Sequence, residues 1–598
     1  MSKQISLTID GIKVSVPEDN NIMQAADSLG IKVPRLCWHS KLSLFGGCRL
    51  CVVEVEGSKS YPPSCVTPVK DGMVVRTNCP GVRRARKNIL RLIMANHPSN
   101  CQICSKNGAC ELQVLAESLG LRDIVFSGRQ KHFPKDETSP SVVRDSDKCV
   151  LCGRCVRVCA EVQGVSALAF MDRGFNTNVA PAYALGLADS VCINCGQCVN
   201  VCPTGALVEK DSTADVWQAL SDKDKIPVVQ IAPAVRVAIG EEFGNPAGRD
   251  MTSQTVQALR LLGFATVFDT QFTADLTIVE EGNELIRRVK GGGKLPMITS
   301  CSPGWIKFCE TFYPELLPNL STCKSPQQMM GALIKTYYAR KAGLDPAKIF
   351  SVSVMPCTAK KFEAARPEMN CYGHRDVDAV LTTRELARMI KQAGIDFNAL
   401  SGQEFDSPLG ESSGAAPIFG ATGGVMEAAL RTAYEVITGR VLGQIEFAAV
   451  RGLDGIKEAE VDIDGLRVKV AVANTLVNAH RLFTEIKQGK RQYHFIEIMA
   501  CPGGCLGGGG QPYLACAGAE SLATEVYQKR AQGLYSIDER KTIRKAHLNP
   551  DVQRLYAEFL KEPLGELSHK LLHTRYHKRP AGVGAPYHKA VELFKGGT

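Results

Sequence analysis

Two cysteine runs of the same form constrain this chain more than any other feature. Cys149-x2-Cys152-x2-Cys155-x3-Cys159 is followed by Cys192-x2-Cys195-x2-Cys198-x3-Cys202-Pro203. Each run places four soft thiolates on a tight turn, and in such paired runs the fourth cysteine ligates the other cluster. Two [4Fe–4S] cubanes follow, one on Cys149, Cys152, Cys155 and Cys202, the other on Cys192, Cys195, Cys198 and Cys159. Two zinc sites would not call for quadruple spacing closed by a proline. Part of the fold is therefore built around metal, and 598 residues exceed what one apolar core organises.

The 24 cysteines and the formal charge of +10 bear on where the chain works and what it meets. The N-terminus, Met1-Ser2-Lys3-Gln4-Ile5-Ser6-Leu7, lacks the basic stretch and apolar core of a signal peptide. No apolar run approaches the roughly 18–20 residues that cross a bilayer. The expectation is a cytoplasmic protein without a membrane span, in which clustered cysteines are metal ligands rather than disulfides. Metal-bound thiolates are anionic, so the formal count omits roughly eight or nine negative charges once clusters are loaded. That removes the charge argument for a nucleic-acid partner. The basic stretch Arg83, Arg84, Arg86 and Lys87 reads as a solvated helix face.

Upstream, Ile5, Leu7 and Ile9 alternate, Asp10-Gly11 supplies a hairpin turn, and Val14 and Val16 resume the alternation. A short helix is expected from about Ile22 to Leu29, stopped by Gly30. Then comes Cys37-x10-Cys48-x2-Cys51-x13-Cys65, with Gly46-Gly47 before the middle pair. Four thiolates on loops suit a [2Fe–2S] centre, where each iron takes two soft ligands. The segment resembles a plant-type ferredoxin domain of β-grasp fold, with a longer first gap. Next is His97-x3-Cys101-x2-Cys104-x5-Cys110. One histidine and three cysteines equally suit tetrahedral zinc, and the residues alone leave the metal open. In this context the segment resembles the one-histidine, three-cysteine [4Fe–4S] module of respiratory complex I and of hydrogenases. The twin runs resemble a bacterial 2[4Fe–4S] ferredoxin. Together these resemblances imply one [2Fe–2S] and three [4Fe–4S] clusters, a path for single electrons.

From about residue 226 the pattern changes to strands followed by helices. Pro227–Ile231 reads as a buried strand, with Ala232-Pro233-Ala234-Val235-Arg236 opening a helix. Three more apolar strands each run into a cysteine loop: Lys294–Thr299 into Cys301, Ile349–Met355 into Cys357, and Tyr493–Met499 into Cys501 and Cys505. Ligands of open α/β sheets bind beyond the carboxyl ends of strands, so the three loops are placed to converge on one cofactor.

These loops closely resemble the three signature loops of [FeFe]-hydrogenases. The first runs Thr299-Ser300-Cys301-Ser302-Pro303-Gly304-Trp305; the second includes Met355-Pro356-Cys357, Lys360 and Glu363; the third runs from Glu497 to Cys505 and into Gly507–Gly510. The resemblance implies an H-cluster, a [4Fe–4S] cubane joined through a cysteine sulfur to a two-iron unit carrying CO and CN−. By carry-over, Cys357, Cys501 and Cys505 ligate the cubane, with Cys505 as the bridge. Lys360 donates to a cyanide, Met355, Met499 and Phe419 wall the pocket, and Gly507–Gly510 let backbone approach the cluster. One position departs from the family, whose first loop has a cysteine doublet. Direct alignment makes Cys301 the proton relay and puts Ser302 at the fourth ligand position, where an alkoxide is a poor partner for iron. Cys301 as ligand, or an altered or sensory activity, are the other readings. The family proton path maps onto Cys301, Glu281, Ser321, Glu284 and Arg288; the bland alternative for Glu281 and Glu284, three apart on a helix, is a solvated face.

The chain beyond about residue 520 reads as helical and charged. His569–Tyr576 resembles the C-terminal segment of hydrogenase subunits in NAD(P)-linked multisubunit enzymes. This implies ferredoxin and/or NAD(P)H-oxidising flavoprotein subunits as electron partners, besides H2 and protons as substrates and maturation proteins for the two-iron unit. His569, His573 and His577 read as packed or exposed rather than metal-binding, and the Gly-, Pro-, Lys- and His-rich end as a loose terminus. Cys79, Cys309, Cys323, Cys371 and Cys516 fit no ligand pattern and are assigned no role. The expected architecture is multidomain α/β and α+β: a [2Fe–2S] domain (1–78), a histidine–cysteine [4Fe–4S] module (79–140), a two-cluster ferredoxin domain (141–210), an α/β H-cluster domain with parallel sheets (211–520) and a helical tail (521–598). The expected function is reversible oxidation of H2, with a hydrogen-sensing or otherwise altered homologue as the alternative that Ser302 raises. A purely electron-transferring subunit accounts for the first 210 residues but leaves the three cysteine loops without a purpose.

Overall fold

The computed structural model describes residues 3–126, 128–443, 445–463, 465–514 and 523–579. At the N-terminus, Gln4–Ile9 pairs antiparallel with Ile12–Pro17, Ile5 opposite Val16 and Leu7 opposite Val14, as the alternation requires. Val74–Arg76 adds to this hairpin in parallel and Glu54–Val55 extends it. The helix Ile22–Ser28 is held by a capping box between Asn21 and Gln24 and buries Ile22, Met23, Ala25 and Ala26 against the sheet. The helix Pro80–Ala95 follows. Arg83 and Arg84 are exposed on it, but Arg86 is not on a solvated face. It is buried and donates to the Val52 carbonyl at 2.8 and 3.2 Å, because the inner face of the helix lies across the cysteine loop.

The twin runs fold as two copies of one turn. Gly153 and Gly196 both take φ of +70° and open the short helices Arg154–Arg157 and Gln197–Val201. The left-handed conformation lets the chain double back between ligands, which a side chain would resist. Val142–Arg144 and Leu207–Glu209 pair antiparallel and close the unit.

The chain beyond residue 225 contains two four-stranded sheets. Their strands are β1 (Ile226–Ile231), β2 (Thr266–Asp269), β3 (Met297–Ile298), β4 (Ile349–Met355), β5 (Ala379–Thr382), β6 (Ile456–Ile463), β7 (Leu466–Asn474) and β8 (Phe495–Met499). The first sheet has the order β2-β1-β4-β5 and is parallel throughout. The second has the order β3-β8-β7-β6, parallel except for the antiparallel hairpin β6–β7 at its edge. That hairpin qualifies the expectation of parallel sheets; its outer strand alternates between covered and solvent-facing residues, which antiparallel pairing tolerates. Helix α1 (Thr270–Gly291) contributes to cores on both sides of it, burying every residue from Thr270 to Gly282. Helix α2 (Pro303–Phe312) starts directly after the first cysteine loop.

The tail is helical, as expected, over Ala523–Arg540, Pro550–Leu555 and α3 (Glu566–Leu572). It is a clamp as well: Leu571 and Leu572 join the core beside α1, and the buried Arg530 grips Glu241 through two 2.7 Å bonds. Cys516 and the terminus from residue 580 lie outside the described residues. Among the described residues no helix is long and apolar enough to cross a membrane.

Candidate active site

The carboxyl ends of β3, β4 and β8 meet at a cavity lined in part by Cys301, Ser302, Met355, Cys357, Lys360, Phe419, Met499, Cys501 and Cys505. The three loops thus come from two different sheets and face one another. Burial pushes up the thiols of Cys357, Cys501 and Cys505; Cys357 raises the other two further, and Cys505 adds to Cys501; Cys505 reaches about 12. Thiols crowded this way keep their protons unless a metal displaces them, so the donor set fits an iron–sulfur cluster.

Lys360 is held from two sides. Its Nζ donates to Glu363 Oε2 at 2.9 Å and to the Cys301 carbonyl at 3.2 Å. An ammonium carries three protons, so one remains for a group in the cavity. Glu363 is itself fixed by Ser325 Oγ at 2.8 Å and Gln327 Nε2 at 3.1 Å. Gln327, which sequence reasoning missed, lines the cavity and is anchored by Ser353 Oγ at 2.9 Å. Glu363 had a readable signal, a carboxylate three residues beyond a lysine; Gln327 had none.

Cys301 and Ser302 separate in their surroundings. Cys301 packs beside the cluster containing Phe419 and Met499, and after burial the charge acting most strongly on its thiol is Glu281. Ser302 occupies the position before α2, where serine ordinarily accepts from the first turn, yet its hydroxyl makes no cap bond. Gly508 lines the cavity, and the glycine run also admits protein backbone. A β-carbon on Gly508 would lie 2.1 Å from the Pro356 carbonyl, and one on Gly509 2.4 Å from the Cys195 carbonyl. At Gly508 and Gly509 the lack of a side chain lets protein backbone, including that of the ferredoxin-like unit, pass.

The accessory cysteines also gather. Cys37 is drawn far below the ordinary thiol range by hydrogen bonds from Cys48 and Cys65, and Cys51 bonds to Cys65 in turn. Cys149, Cys152, Cys155 and Cys202 line one cavity. Cys159, Cys192, Cys195 and Cys198 act on one another electrostatically. His97, Cys101, Cys104 and Cys110 line another cavity. There His97 Nδ1 is buried without a hydrogen-bond partner, and burial lowers the ring to about 4, keeping it neutral. A neutral, orphaned imidazole nitrogen is what a metal requires.

Five family descriptions match along the chain: a 2Fe-2S iron-sulfur cluster binding domain at 2–80, the NADH-ubiquinone oxidoreductase-G iron-sulfur binding region at 86–124, the ferredoxin-like domain of NADH-quinone oxidoreductase subunit 3 at 139–208, the C-terminal domain of the iron only hydrogenase large subunit at 225–509, and the iron hydrogenase small subunit at 524–579. The NADP-reducing hydrogenase subunit HndD of Solidesulfovibrio fructosivorans is 50% identical over 586 residues, 96% of this chain and 99% of that protein. This chain belongs to the iron-only, or [FeFe], hydrogenases. Iron hydrogenase 1 of Clostridium pasteurianum is 43% identical over 96% of this chain and its own full length. Apo [FeFe]-hydrogenase HydA1 of Chlamydomonas reinhardtii superposes with a TM-score of 0.54 at 43% identity, covering 62% of this chain and 99% of that one. The chain is an enzyme that interconverts H2 with protons and electrons and relays the electrons through iron–sulfur domains.

In this hydrogenase three of the mapped proton-path residues, Glu281, Glu284 and Arg288, belong to α1, and Ser321 stands against them from the segment after Leu320. Glu281 is fully buried, and burial raises its carboxyl to about 8, so it holds a proton at neutral pH beside Ser321. Ser321 Oγ donates to Glu284 Oε2 at 2.9 Å, and Arg288 Nη2 donates to Glu284 Oε1 at 2.5 Å. Neither glutamate is on a solvated face. The ferredoxin-like unit docks on the second and third cysteine loops: Gln163 Nε2 donates to the Ala500 carbonyl at 2.9 Å, Gln197 Nε2 to that of Gly507 at 2.8 Å, and Thr358 Oγ1 to that of Asn194 at 2.8 Å. Cys501 is close enough to Cys195 to push its thiol up beyond the effect of burial.

Proposed function

We propose that Cys357, Cys501 and Cys505 hold the cubane of an H-cluster, Cys505 bridging to the two-iron unit, and that Cys301 is the proton relay with Ser302 at the fourth cubane position. When bound, that group supplies the metal chemistry that forms and splits H2. The residues around it do the rest. Lys360, braced by Glu363, presents a charged donor to the two-iron unit; Met355, Met499 and Phe419 keep water out. Cys301, Glu281, Ser321, Glu284 and Arg288 pass protons between the cavity and solvent, Glu281 holding the proton and Ser321 handing it to Glu284.

The accessory donor sets correspond to one [2Fe–2S] and three [4Fe–4S] clusters within the intervals 1–78, 79–140 and 141–210, ahead of a catalytic interval at 211–520 and a tail at 521–598. Contacts order them. Arg157 donates to the Cys37 carbonyl at 2.5 Å and the Cys152 carbonyl at 3.4 Å, joining the first set to the Cys149–Cys202 cubane. Glu111 N donates to the Pro203 carbonyl at 2.9 Å and a β-carbon on Gly205 would touch Cys104, which joins the His97 set to the same cubane. Two inlets therefore converge on one cluster and leave through Cys195 toward Cys501. The partners supported by this layout and by the likeness to an NADP-reducing enzyme are ferredoxin and/or NAD(P)H-oxidising flavoprotein subunits, with maturation proteins delivering the two-iron unit.

The observation that carries the reading is the meeting of Cys357, Cys501, Cys505 and Lys360 in one buried cavity. The test is infrared spectroscopy of the anaerobically matured enzyme, expected to show CO and CN− bands that Cys357→Ala abolishes while the accessory cluster signals persist. Bands unchanged in that variant would remove the assignment. The sensory alternative is separated by turnover: bands with negligible H2 production or uptake would favour it.

A further inference from the structure

Glu284, Cys323 and His573 each bring one ligand atom to within 4.8 Å of the others, and all three are buried. The cluster joins α1, the segment after Leu320 and the residue that ends α3. Its geometry is imposed by backbone pairing: Lys324 N donates to the Leu572 carbonyl at 2.7 Å and Thr574 N to the Thr322 carbonyl at 2.8 Å, setting Cys323 opposite His573. His573 Nδ1 meets Thr322 Oγ1 at 2.8 Å and Nε2 meets Glu280 Oε2 at 3.2 Å. The Cys323 thiol lies 4.0 Å from Glu284 Oε2 and is surrounded by Glu284, Glu281 and Glu280. Neither the thiol nor the imidazole has a part in the proton path described above.

We propose that Glu284, Cys323 and His573 form a binding site for a zinc-class divalent cation, and that a cation held there arrests proton exit through Glu284. One oxygen, one sulfur and one nitrogen is a donor set that zinc accepts. Donors around tetrahedral zinc sit roughly 2.0–2.3 Å from the ion and so about 3.3–3.8 Å apart, which asks these side chains to draw in by about 1 Å. Glu280, already on the imidazole, is the next donor available. Binding releases the Cys323 proton to solvent, forms a metal–sulfur bond and involves no change of oxidation state. Glu284 already accepts from Arg288, Ser321 and the Thr322 amide. A carboxylate has about four lone-pair positions, so it can take the ion as well, but it is then held as an anion that no longer accepts a proton from Ser321. The cluster lies one side chain from solvent, the exposed His569 ring being 4.4 Å from that of His573. The inhibitory effect rests on the proton-path reading above; the binding site does not.

The test uses matured, untagged enzyme titrated with Zn2+, read by zinc K-edge absorption and by H2 turnover with an artificial electron donor. Expected are one held zinc with a single sulfur neighbour and nitrogen or oxygen in the remaining positions, and turnover lowered at least tenfold at saturation. Cys323→Ala, which leaves zinc-free turnover unchanged, should lose the sulfur neighbour and raise the half-inhibiting concentration at least tenfold, and His573→Gln should weaken binding likewise. Zinc bound without sulfur, or held equally by Cys323→Ala, overturns the site. Zinc bound with sulfur but without inhibition supports the site and overturns instead the path through Glu284.

Discussion

Replacing Glu281 by glutamine separates stability from function, because the structure demands opposite outcomes for the two. Burial, with Glu284 and Glu497 adding to it, raises this carboxyl from 4.5 to about 8. The folded protein therefore binds the proton more tightly than the unfolded chain, and ionisation costs stability. The cost is absent below pH 4.5, grows as pH rises, and levels off above pH 8. It amounts to about 3 kcal/mol at pH 7 and about 5 kcal/mol above pH 8. Glutamine has the same shape, never ionises and still donates toward Ser321. Allowing about 1–2 kcal/mol for an imperfectly paired amide, Glu281→Gln should be more stable than the parent by about 3 kcal/mol at pH 8.5 and no more stable at pH 5. Its turnover should fall about 100-fold or more, since an amide does not release a proton. The assay is denaturant unfolding of the catalytic region at both pH values beside H2 production, with infrared bands confirming an intact centre. Turnover within twofold of the parent would refute the relay. A midpoint that falls with pH as steeply as the parent's would refute the burial argument.

Three further outcomes follow from single contacts. His97→Ala should lower iron content by about four per chain and remove one cluster signal, since a [4Fe–4S] site loses its one nitrogen donor; unchanged iron would assign the orphaned Nδ1 no metal. Gly509→Ala puts a β-carbon 2.4 Å from the Cys195 carbonyl, and should cost about 1–3 kcal/mol and slow electron delivery from the accessory clusters; an unaltered unfolding midpoint would mean that this junction gives way freely. Lys360→Met strands Glu363 and should cost about 3–5 kcal/mol. Adding Glu363→Gln should restore the midpoint but not the CO and CN− bands, and their return would deny Lys360 a role at the two-iron unit.

The sequence by itself determined the parts whose geometry is local. Ligands two or three residues apart share one turn, so the paired runs at Cys149 and Cys192 disclose their sites through spacing alone. Alternation through Ile5, Leu7 and Ile9 with Asp10-Gly11 is likewise a property of a few consecutive residues. Tertiary structure decided what depends on faces brought together from afar. That β4 and β8 belong to different sheets and still aim their cysteines at one cavity is not written in either strand. Arg86 looked solvated because charge alone carries no record of the Val52 carbonyl waiting beneath it. The glycines after Cys505 have a further use that no spacing discloses, since only the crossing of Cys195 and Gly196 shows which backbone Gly509 admits. His573 reaches Glu280 and the Cys323 loop from the far end of the chain, through packing of Leu571 and Leu572. Close-packing selects such partners by complementary shape and by satisfaction of buried polar groups, and neither leaves a period or a spacing in the sequence.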